Sequence, residues 1–138
     1  MRYVVVLFTA FVLSACSTTP RRTESPANPS QDAVVEFLLT SSAKDFKTHG
    51  PAGPLRFREV RMGHFKDDTG EDQYLLCGQY LPTKISDPEW VTFATIKTSG
   101  YEQWNGSQAD AFCQRPSVVW DNGGDLSSSL QSRFDSMP

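Results

Sequence analysis

The sequence has few of the residues from which catalytic and metal-binding sites are usually built. Only two histidines, His49 and His64, occur in its 138 residues, and neither has a cysteine or a second histidine at the spacing of a zinc site. It contains no Gly-x-Ser-x-Gly turn and no glycine-rich phosphate loop. We therefore expect no enzymatic activity, no cofactor and no metal. The catalytic alternative is a small hydrolase whose carboxylates converge only in space.

Acidic loops are a further possible source of a metal site. Carboxylates crowd residues 67–72, and Asp121 and Asp125 flank a second turn. Oxygen-rich loops with glycine can bind calcium, but neither stretch has the ligand spacing of an EF-hand. Acidic turns are also common at solvated loop tips, and we favour that interpretation for both.

Positive charge and long apolar runs are scarce as well. Lys and Arg number 13 against 16 Asp and Glu, which gives a formal net charge of −3. This balance provides no overall attraction to nucleic acid, so we expect no nucleic-acid partner. The apolar run at residues 4–13 is shorter than the roughly 20 residues that a membrane-spanning helix needs.

The residues around this run indicate export from the cytoplasm. Arg2 precedes it, and the sequence Leu-Ser-Ala-Cys at residues 13–16 ends it, which is the order of a secretory signal. Those four residues resemble the lipobox of bacterial lipoproteins; an ordinary secreted protein is the alternative. The resemblance implies a signal peptide at residues 1–15 and a lipid anchor on the thiol of Cys16. Ser17, in place of aspartate, further implies sorting to the outer membrane, facing the periplasm, with the inner membrane or the cell surface as alternatives.

Once Cys16 is lipidated, Cys77 and Cys113 remain as an even pair in an oxidising compartment. We expect a disulfide between them, and a free reactive Cys77 with a histidine base is the alternative. In the chain-entropy model the bridge stabilises the fold by about 3 to 4 kcal/mol. That is a large share of the stability of a small domain.

The stretch behind Cys16 is polar and rich in proline. Residues 17–29 contain three prolines and no apolar periodicity. We therefore expect a flexible tether at residues 16–30, long enough to hold a domain about 40 Å from the anchor. An amphipathic helix at residues 31–47 follows, with Ser30 as its N-cap. Glycine and proline at residues 50–54 end it.

The hydrophobic period then changes from 3.6 to two. Residues 55–65 predict a strand whose alternation slips by one residue at Glu59, as a β-bulge requires. Residues 74–81 and 89–98 predict two more strands, and the short loops between them favour an antiparallel meander. A short strand or ordered loop is expected at residues 101–104.

The last third of the chain predicts less regular structure. Ser107 and Asp110 have the spacing of a capping box, which predicts a short helix carrying Cys113. Residues 118–120 form a last strand or lie against the sheet. Residues 122–138 are serine-rich, and we expect a flexible tail or a marginal helix there.

The predicted fold class is α+β, in one globular domain at residues 31–121. An N-terminal helix packs on an antiparallel sheet of three or four strands. A short C-terminal helix is pinned to that sheet by the Cys77–Cys113 bridge.

Two groups of side chains are candidates for binding. Arg56, Arg58 and Arg61 project from one strand, and the bulge decides whether all three share a face. Such a row can bind carboxylates or phosphates, or it can be the ordinary polar face of a half-exposed sheet, which we favour. Tyr101 and Trp104 are the best candidates for an exposed aromatic edge, with core packing as the favoured alternative.

From these features we expect a membrane-anchored periplasmic lipoprotein with a small non-enzymatic domain. Its expected partners are the membrane, reached through the lipid anchor, and an envelope protein or assembly. The alternative ligand is an anionic cell-wall or lipopolysaccharide group held by the arginine-bearing strand.

Overall fold

The structure is a computed structural model that describes residues 30–138. The expected signal peptide, Cys16 and the tether up to residue 29 lie outside the described residues. The elements along the chain are α1 (Gln31–His49), β1 (Leu55–Lys66), β2 (Asp72–Pro82), β3 (Val91–Lys97), β4 (Tyr101–Asn105), α2 (Ser107–Cys113), β5 (Val119–Trp120) and α3 (Ser127–Ser136). None of the helices in this part of the chain is long and apolar enough to cross a membrane.

All neighbouring strands are antiparallel, in the order β4-β3-β2-β1-β5. The predicted α+β class and meander are confirmed, with one strand more than the three or four expected. The additional strand, β5, pairs with β1 only at Gly63 and His64. Gly63 permits this pairing, because a Cβ atom there would lie 2.8 Å from the ring of Trp120.

The predicted bulge in β1 is present. The pairing register between β1 and β2 shifts between Arg58 and Arg61, and Glu59 has a φ of 54°. The extra residue restores the phase of the strand, so that Arg56, Arg58 and Arg61 pair with Leu81, Gln79 and Cys77 in turn. Alternate residues of β2 lie on one face of the sheet, and all three arginines therefore share that face.

The α1 face of the sheet, opposite the arginines, carries the main core. The side chain of Ser30 caps α1 by accepting a hydrogen bond from the amide of Ala33 at 3.3 Å, and the helix continues two residues beyond its predicted end. Its buried Phe46 packs against three sheet aromatics, with ring centroids 5.1 Å from Phe57, 4.9 Å from Tyr80 and 5.1 Å from Phe93. These contacts fix α1 across the middle of the sheet.

The C-terminal residues are part of the domain, so the expectation of a flexible tail is wrong and that of a helix is right. Leu130 and Phe134 of α3 are 0% and 5% exposed and lie in the same core as α1. Gln131 adds a polar contact with the open edge of β1: its Oε1 accepts from the amide of Phe57 at 3.1 Å, and its Nε2 donates to the carbonyl of Leu55 at 3.0 Å. These are the bonds that another strand would make.

The opposite, α2 face carries a second, smaller core that includes the disulfide. Cys77 and Cys113 are bonded, with Cα atoms 5.9 Å apart, as predicted. The predicted capping box at Ser107 is wrong, since the N-cap of α2 is Gly106 and no side chain caps it. Gly106 has a φ of 65° and donates its amide to Thr92, so the chain turns from β4 straight into the helix.

Candidate binding surface

The three arginines lie on the part of the α2 face that α2 leaves partly open. Arg56, Arg58 and Arg61 are exposed, while their neighbours Gln79 and Thr92 on β2 and β3 are half-buried. Because all three belong to one strand and one face, the row expected from the sequence exists as a continuous feature of the sheet.

Arg58 is held in place by two contacts. Its guanidinium carbon lies 4.1 Å from the centre of the Trp90 ring. Its Nε donates to Oε1 of Gln79 at 2.8 Å. The cation–π contact and the hydrogen bond fix the plane of the guanidinium group, which leaves its two terminal nitrogens for a ligand.

Arg61 forms a second stack, on the far side of the bulge. Its guanidinium carbon lies 3.8 Å from the centre of the Trp120 ring. Trp120 is itself packed over Gly63, so the sheet supports the ring from below. We call Arg56, Arg58, Arg61, Trp90 and Trp120 together the arginine–tryptophan surface.

A cleft of about 590 Å³ opens beside this surface. Its walls come from α2, the bulge and the turn after β5, and the disulfide lies among its lining residues. That volume is within the range of pockets that hold small ligands or single side chains. The lining residues are Glu59, Val60, Arg61, Cys77, Gly78, Gln79, Thr92, Asp110, Cys113, Gln114, Trp120, Asp121, Gly124 and Asp125.

The cleft lining is acidic, although the arginine row beside it is basic. Its lining includes four acidic residues, Glu59, Asp110, Asp121 and Asp125, and one basic residue, Arg61. The surface therefore has a basic part at Arg56 and Arg58 and an acidic part inside the cleft. A ligand that fits both parts carries both signs of charge.

Two of the four carboxylates already have partners within the domain. Asp121 accepts a hydrogen bond from Nε2 of Gln31 at 2.8 Å and lies 3.4 Å from Nδ1 of His64. Asp125 accepts from both the hydroxyl and the amide of Ser127, and these bonds, the hydroxyl first, lower the pKa of its carboxyl group. A general acid of a hydrolase needs the opposite shift.

The arginine row itself has no acidic partner in the described part of the chain. The ion pairs of residues 30–138 join His49 to Asp45, His64 to Asp121, Lys66 to Asp72 and Arg133 to Glu36. Each arginine of the row is thus free to pair with a carboxylate or phosphate from another molecule.

Tyr101 and Trp104 do not form a common edge. They lie three residues apart on β4 and contact opposite sides of the sheet. The hydroxyl of Tyr101 donates to Asp45 of α1 at 3.2 Å, and burial, followed by the charge of Asp45, raises the pKa of the tyrosine. Trp104 packs on Phe112 of α2, with ring centroids 5.6 Å apart. Both side chains are half-buried.

In the acidic loop after β1, the carboxylate of Asp67 stabilises the turn of the loop itself. Oδ1 of Asp67 accepts from the amide and the hydroxyl of Thr69, at 2.8 and 2.6 Å, and from the amide of Glu71 at 3.0 Å. These bonds, the Thr69 hydroxyl first, lower the pKa of Asp67. Across residues 30–138, no group of three or more His, Cys, Asp or Glu side chains is placed to hold a metal ion.

The sequence did not identify the tryptophans that complete the site. Trp90 precedes β3 and Trp120 ends β5, so each comes from a different part of the chain than the arginine it supports. The register of β1, β2 and β3 places Arg58, Gln79 and Thr92 side by side, and this register cannot be read from any single stretch of the sequence.

Comparison of the chain with protein-family models, curated proteins and solved structures finds no match.

Proposed function

We propose that this chain is a lipid-anchored periplasmic protein whose non-enzymatic domain binds another protein of the cell envelope. The observation that carries the proposal is the pair of arginine–tryptophan stacks, Arg58 on Trp90 and Arg61 on Trp120, on either side of the bulge. Arginine and tryptophan are the residues that most often dominate the binding energy of protein interfaces.

The charge pattern favours a protein segment over a uniform polyanion. A polyanionic chain attracted by Arg56 and Arg58 meets the four carboxylates of the neighbouring cleft, and like charges repel it there. A protein segment presents acidic, basic and apolar side chains in any order, so it can satisfy both parts of the surface. The stacked guanidinium groups are also preordered, which reduces the entropy lost on binding.

The proposed cellular location of the domain is inferred from the N-terminal sequence. The lipobox-like Leu-Ser-Ala-Cys at residues 13–16 supports lipidation of Cys16, and Ser17 supports the outer membrane as the destination. An anchored domain meets its partner at a raised effective concentration. A modest affinity is then sufficient for a stable association in the envelope.

The proposal is tested by affinity capture of the lipidated protein from gently solubilised envelopes. The test variants are Arg58→Ala and Trp90→Ala, and the control is Lys44→Ala, which removes an exposed charge on α1. We expect a defined envelope protein that is recovered with the wild type and the control and is reduced about tenfold with either test variant. Equal recovery with all four forms overturns the proposal.

Anionic groups of the cell wall or of lipopolysaccharide are a second candidate ligand. The observation that favours them is the lack of an acidic partner for Arg56 and Arg58 within residues 30–138. Purified cell wall then retains the protein at low salt and releases it at high salt, because screening weakens exposed ion pairs. An Arg56→Ala, Arg58→Ala double variant is not retained, whereas Lys44→Ala is.

A further inference from the structure

The two edges of the sheet differ in how the rest of the domain covers them. Beside β1, the strand β5 pairs with Gly63 and His64. Further along β1, the amide of Leu126 donates to the carbonyl of Val60 at 2.7 Å, and the amide of Val60 donates to the hydroxyl of Ser127 at 3.1 Å. The other edge is β4, whose one neighbouring strand in the described part of the chain is β3. An edge strand presents a row of N–H and C=O groups with which another chain can pair.

The register between β3 and β4 determines which main-chain groups of β4 point outward. At one end of this pairing, the amide of Gly106 donates to the carbonyl of Thr92 at 2.8 Å. Antiparallel strands bond at alternate residues, so the even-numbered residues of β4 bond to β3. The outward amides and carbonyls therefore belong to Tyr101, Gln103 and Asn105. Among residues 30–138, these groups have no hydrogen-bond partner.

The β4 edge lacks the features that usually protect an edge strand. Natural edges are protected from further pairing by proline, lysine or a bulge. The sequence of β4 is Tyr-Glu-Gln-Trp-Asn, and it pairs with β3 without a register shift. Apolar surface also flanks the edge: Phe37 of α1 is 36% exposed, and its ring centre lies 5.3 Å from Nζ of Lys97, which is opposite Tyr101 in the register. The edge therefore favours the addition of a further strand.

Two copies of β4 are complementary when they pair antiparallel about Gln103. This register places Tyr101 opposite Asn105 of the second copy and Gln103 opposite its own equivalent. Each of the three facing pairs of outward residues makes two main-chain hydrogen bonds. Glu102 then lies opposite Trp104 of the second copy, and these two residue types already bond within one chain, where Nε1 of Trp104 donates to Oε2 of Glu102 at 3.3 Å.

The neighbouring registers are less favourable. Centred on Glu102, the pairing loses one bonded pair and places two carboxylates directly opposite each other, which is destabilising. Centred on Trp104, it again loses one bonded pair and brings together two indole rings that already pack on Phe112. The charges and the hydrogen bonds of β4 thus select one register, and they select it for a second copy of the same strand.

We propose that this domain forms a two-fold symmetric dimer in which β4 pairs with β4 of a second copy, in the register centred on Gln103. The pairing joins two five-stranded sheets into one. Facing residues of an antiparallel pair lie on the same side of a sheet, so both arginine–tryptophan surfaces face the same side of the dimer. Two such surfaces bind a repeated partner with avidity; this consequence, unlike the dimer, rests on the proposed protein-binding function.

The test measures the oligomeric state and the exchange of individual amides on the same protein. It uses the mature chain with Cys16→Ser, in which Cys77 and Cys113 are joined to each other. Sedimentation equilibrium is measured from about 1 to about 200 µM, because mass action shifts a dimer with concentration. Hydrogen exchange of the β4 amides is measured by NMR at both ends of this range.

We expect a monomer–dimer equilibrium and an alternating pattern of protection along β4. The amides of Tyr101, Gln103 and Asn105 exchange at least about tenfold more slowly where the dimer is populated. The amides of Glu102 and Trp104 are bonded to β3 at both concentrations and serve as the internal reference. This alternation identifies the β4 edge, since a dimer through another surface leaves the outward amides open to solvent.

A proline at position 105 removes one outward amide from each copy. Proline is tolerated on edge strands where the N–H faces away from the sheet, so Asn105→Pro leaves the bonds to β3 in place. The dimer loses a main-chain hydrogen bond at each end, and we expect its dissociation constant to rise about tenfold or more. The matched control, Asn105→Ala, keeps the amide and dimerises as the wild type does.

A wild-type chain that stays monomeric up to about 200 µM overturns the proposal. So does a dimer in which the amides of Tyr101, Gln103 and Asn105 exchange as fast as in the monomer. Assemblies that grow beyond the dimer overturn it as well, because the two-fold pairing uses the β4 edge of both copies. The exchange measurement needs no substitution within the domain, so misfolding of Asn105→Pro cannot mimic any of these results.

Discussion

The guanidinium group of Arg58 lies over the ring of Trp90, with its carbon 4.1 Å from the ring centre, and its Nε donates a hydrogen bond to Gln79. Removing Trp90 frees the side chain of Arg58 and removes an aromatic contact at once. We therefore expect Trp90→Ala to weaken partner binding about tenfold or more, as Arg58→Ala does. The two changes combined are expected to cost less than the sum of their separate effects, since each removes the same contact.

A double-mutant cycle on the purified complex checks this prediction. Additive losses from Arg58→Ala and Trp90→Ala would show that the stack does not act as a unit. Lys44→Ala serves as the control for the loss of one exposed positive charge from the domain.

Trp104 is expected to matter for stability and not for binding. Its ring packs on Phe112 beside the disulfide-bearing core, so Trp104→Ala leaves a cavity in a half-buried site. We expect the free energy of unfolding to fall by about 2 kcal/mol, less than for a fully buried tryptophan. Urea denaturation measures the change, and a stable variant with weakened partner binding would contradict this assignment.

Gln131 is expected to protect the open edge of β1. In Gln131→Leu the amide of Phe57 and the carbonyl of Leu55 lose their partner in a partly buried position, which costs about 1 to 3 kcal/mol. Hydrogen exchange of the Phe57 amide is expected to accelerate selectively. The matched control is Ser132→Ala, one residue along α3; an equal effect of both changes would refute the specific role of Gln131.

The turn before α3 is expected to weaken in acid. Hydrogen bonds from Ser127 hold the pKa of Asp125 below its ordinary value of 3.8. Because the folded-state pKa is depressed, the stabilisation is present above the unfolded pKa and is lost as the pH falls through the lower folded one. Because Asp125 is exposed and water competes for its hydrogen bonds, we expect Asp125→Ala to cost less than about 1 kcal/mol at pH 7 and progressively less below pH 4.

The difference between Asp125→Ala and wild type is measured by urea denaturation at several pH values. A difference in the free energy of unfolding that stays constant down to pH 2 would show that the contribution of Asp125 does not depend on the charge of its carboxylate. Asp68→Ala, in the exposed loop after β1, is the control for removal of an acidic group.

The sequence predicted those parts of the fold that are determined by residues close together along the chain. The bulge at Glu59 was visible because the alternation of β1 shifts phase there. The N-terminal helix was visible from its 3.6-residue period and from Ser30. The Cys77–Cys113 bridge followed from the count of cysteines and the expected compartment.

The parts that were missed depend on tertiary contacts. The ten residues of α3 include five serines, and only the burial of Leu130 and Phe134 against the core makes them a stable helix. Proximity in the sequence suggests a common edge for Tyr101 and Trp104. Residues three apart on a strand point to opposite faces, so the predicted strand itself argued against that grouping.

The tryptophan partners of the arginine row could not be identified from periodicity alone. Trp90 and Trp120 approach β1 from β3 and β5, on opposite sides of the sheet order. Which aromatic meets which arginine is decided by strand register and by the small size of Gly63, and neither is encoded in a single stretch of the chain.

Binding of an envelope protein to the arginine–tryptophan surface is tested directly by site-specific photo-crosslinking in intact cells. A photoreactive residue is placed at Thr92 or at Gln114, which line the cleft beside the arginine–tryptophan surface, and for comparison at Ser128 or Ser132 of α3. We expect one defined envelope protein crosslinked from positions 92 and 114, absent from positions 128 and 132, and lost when Arg58→Ala is added. The same product from all four positions, or a product that persists in the Arg58→Ala background, would contradict it.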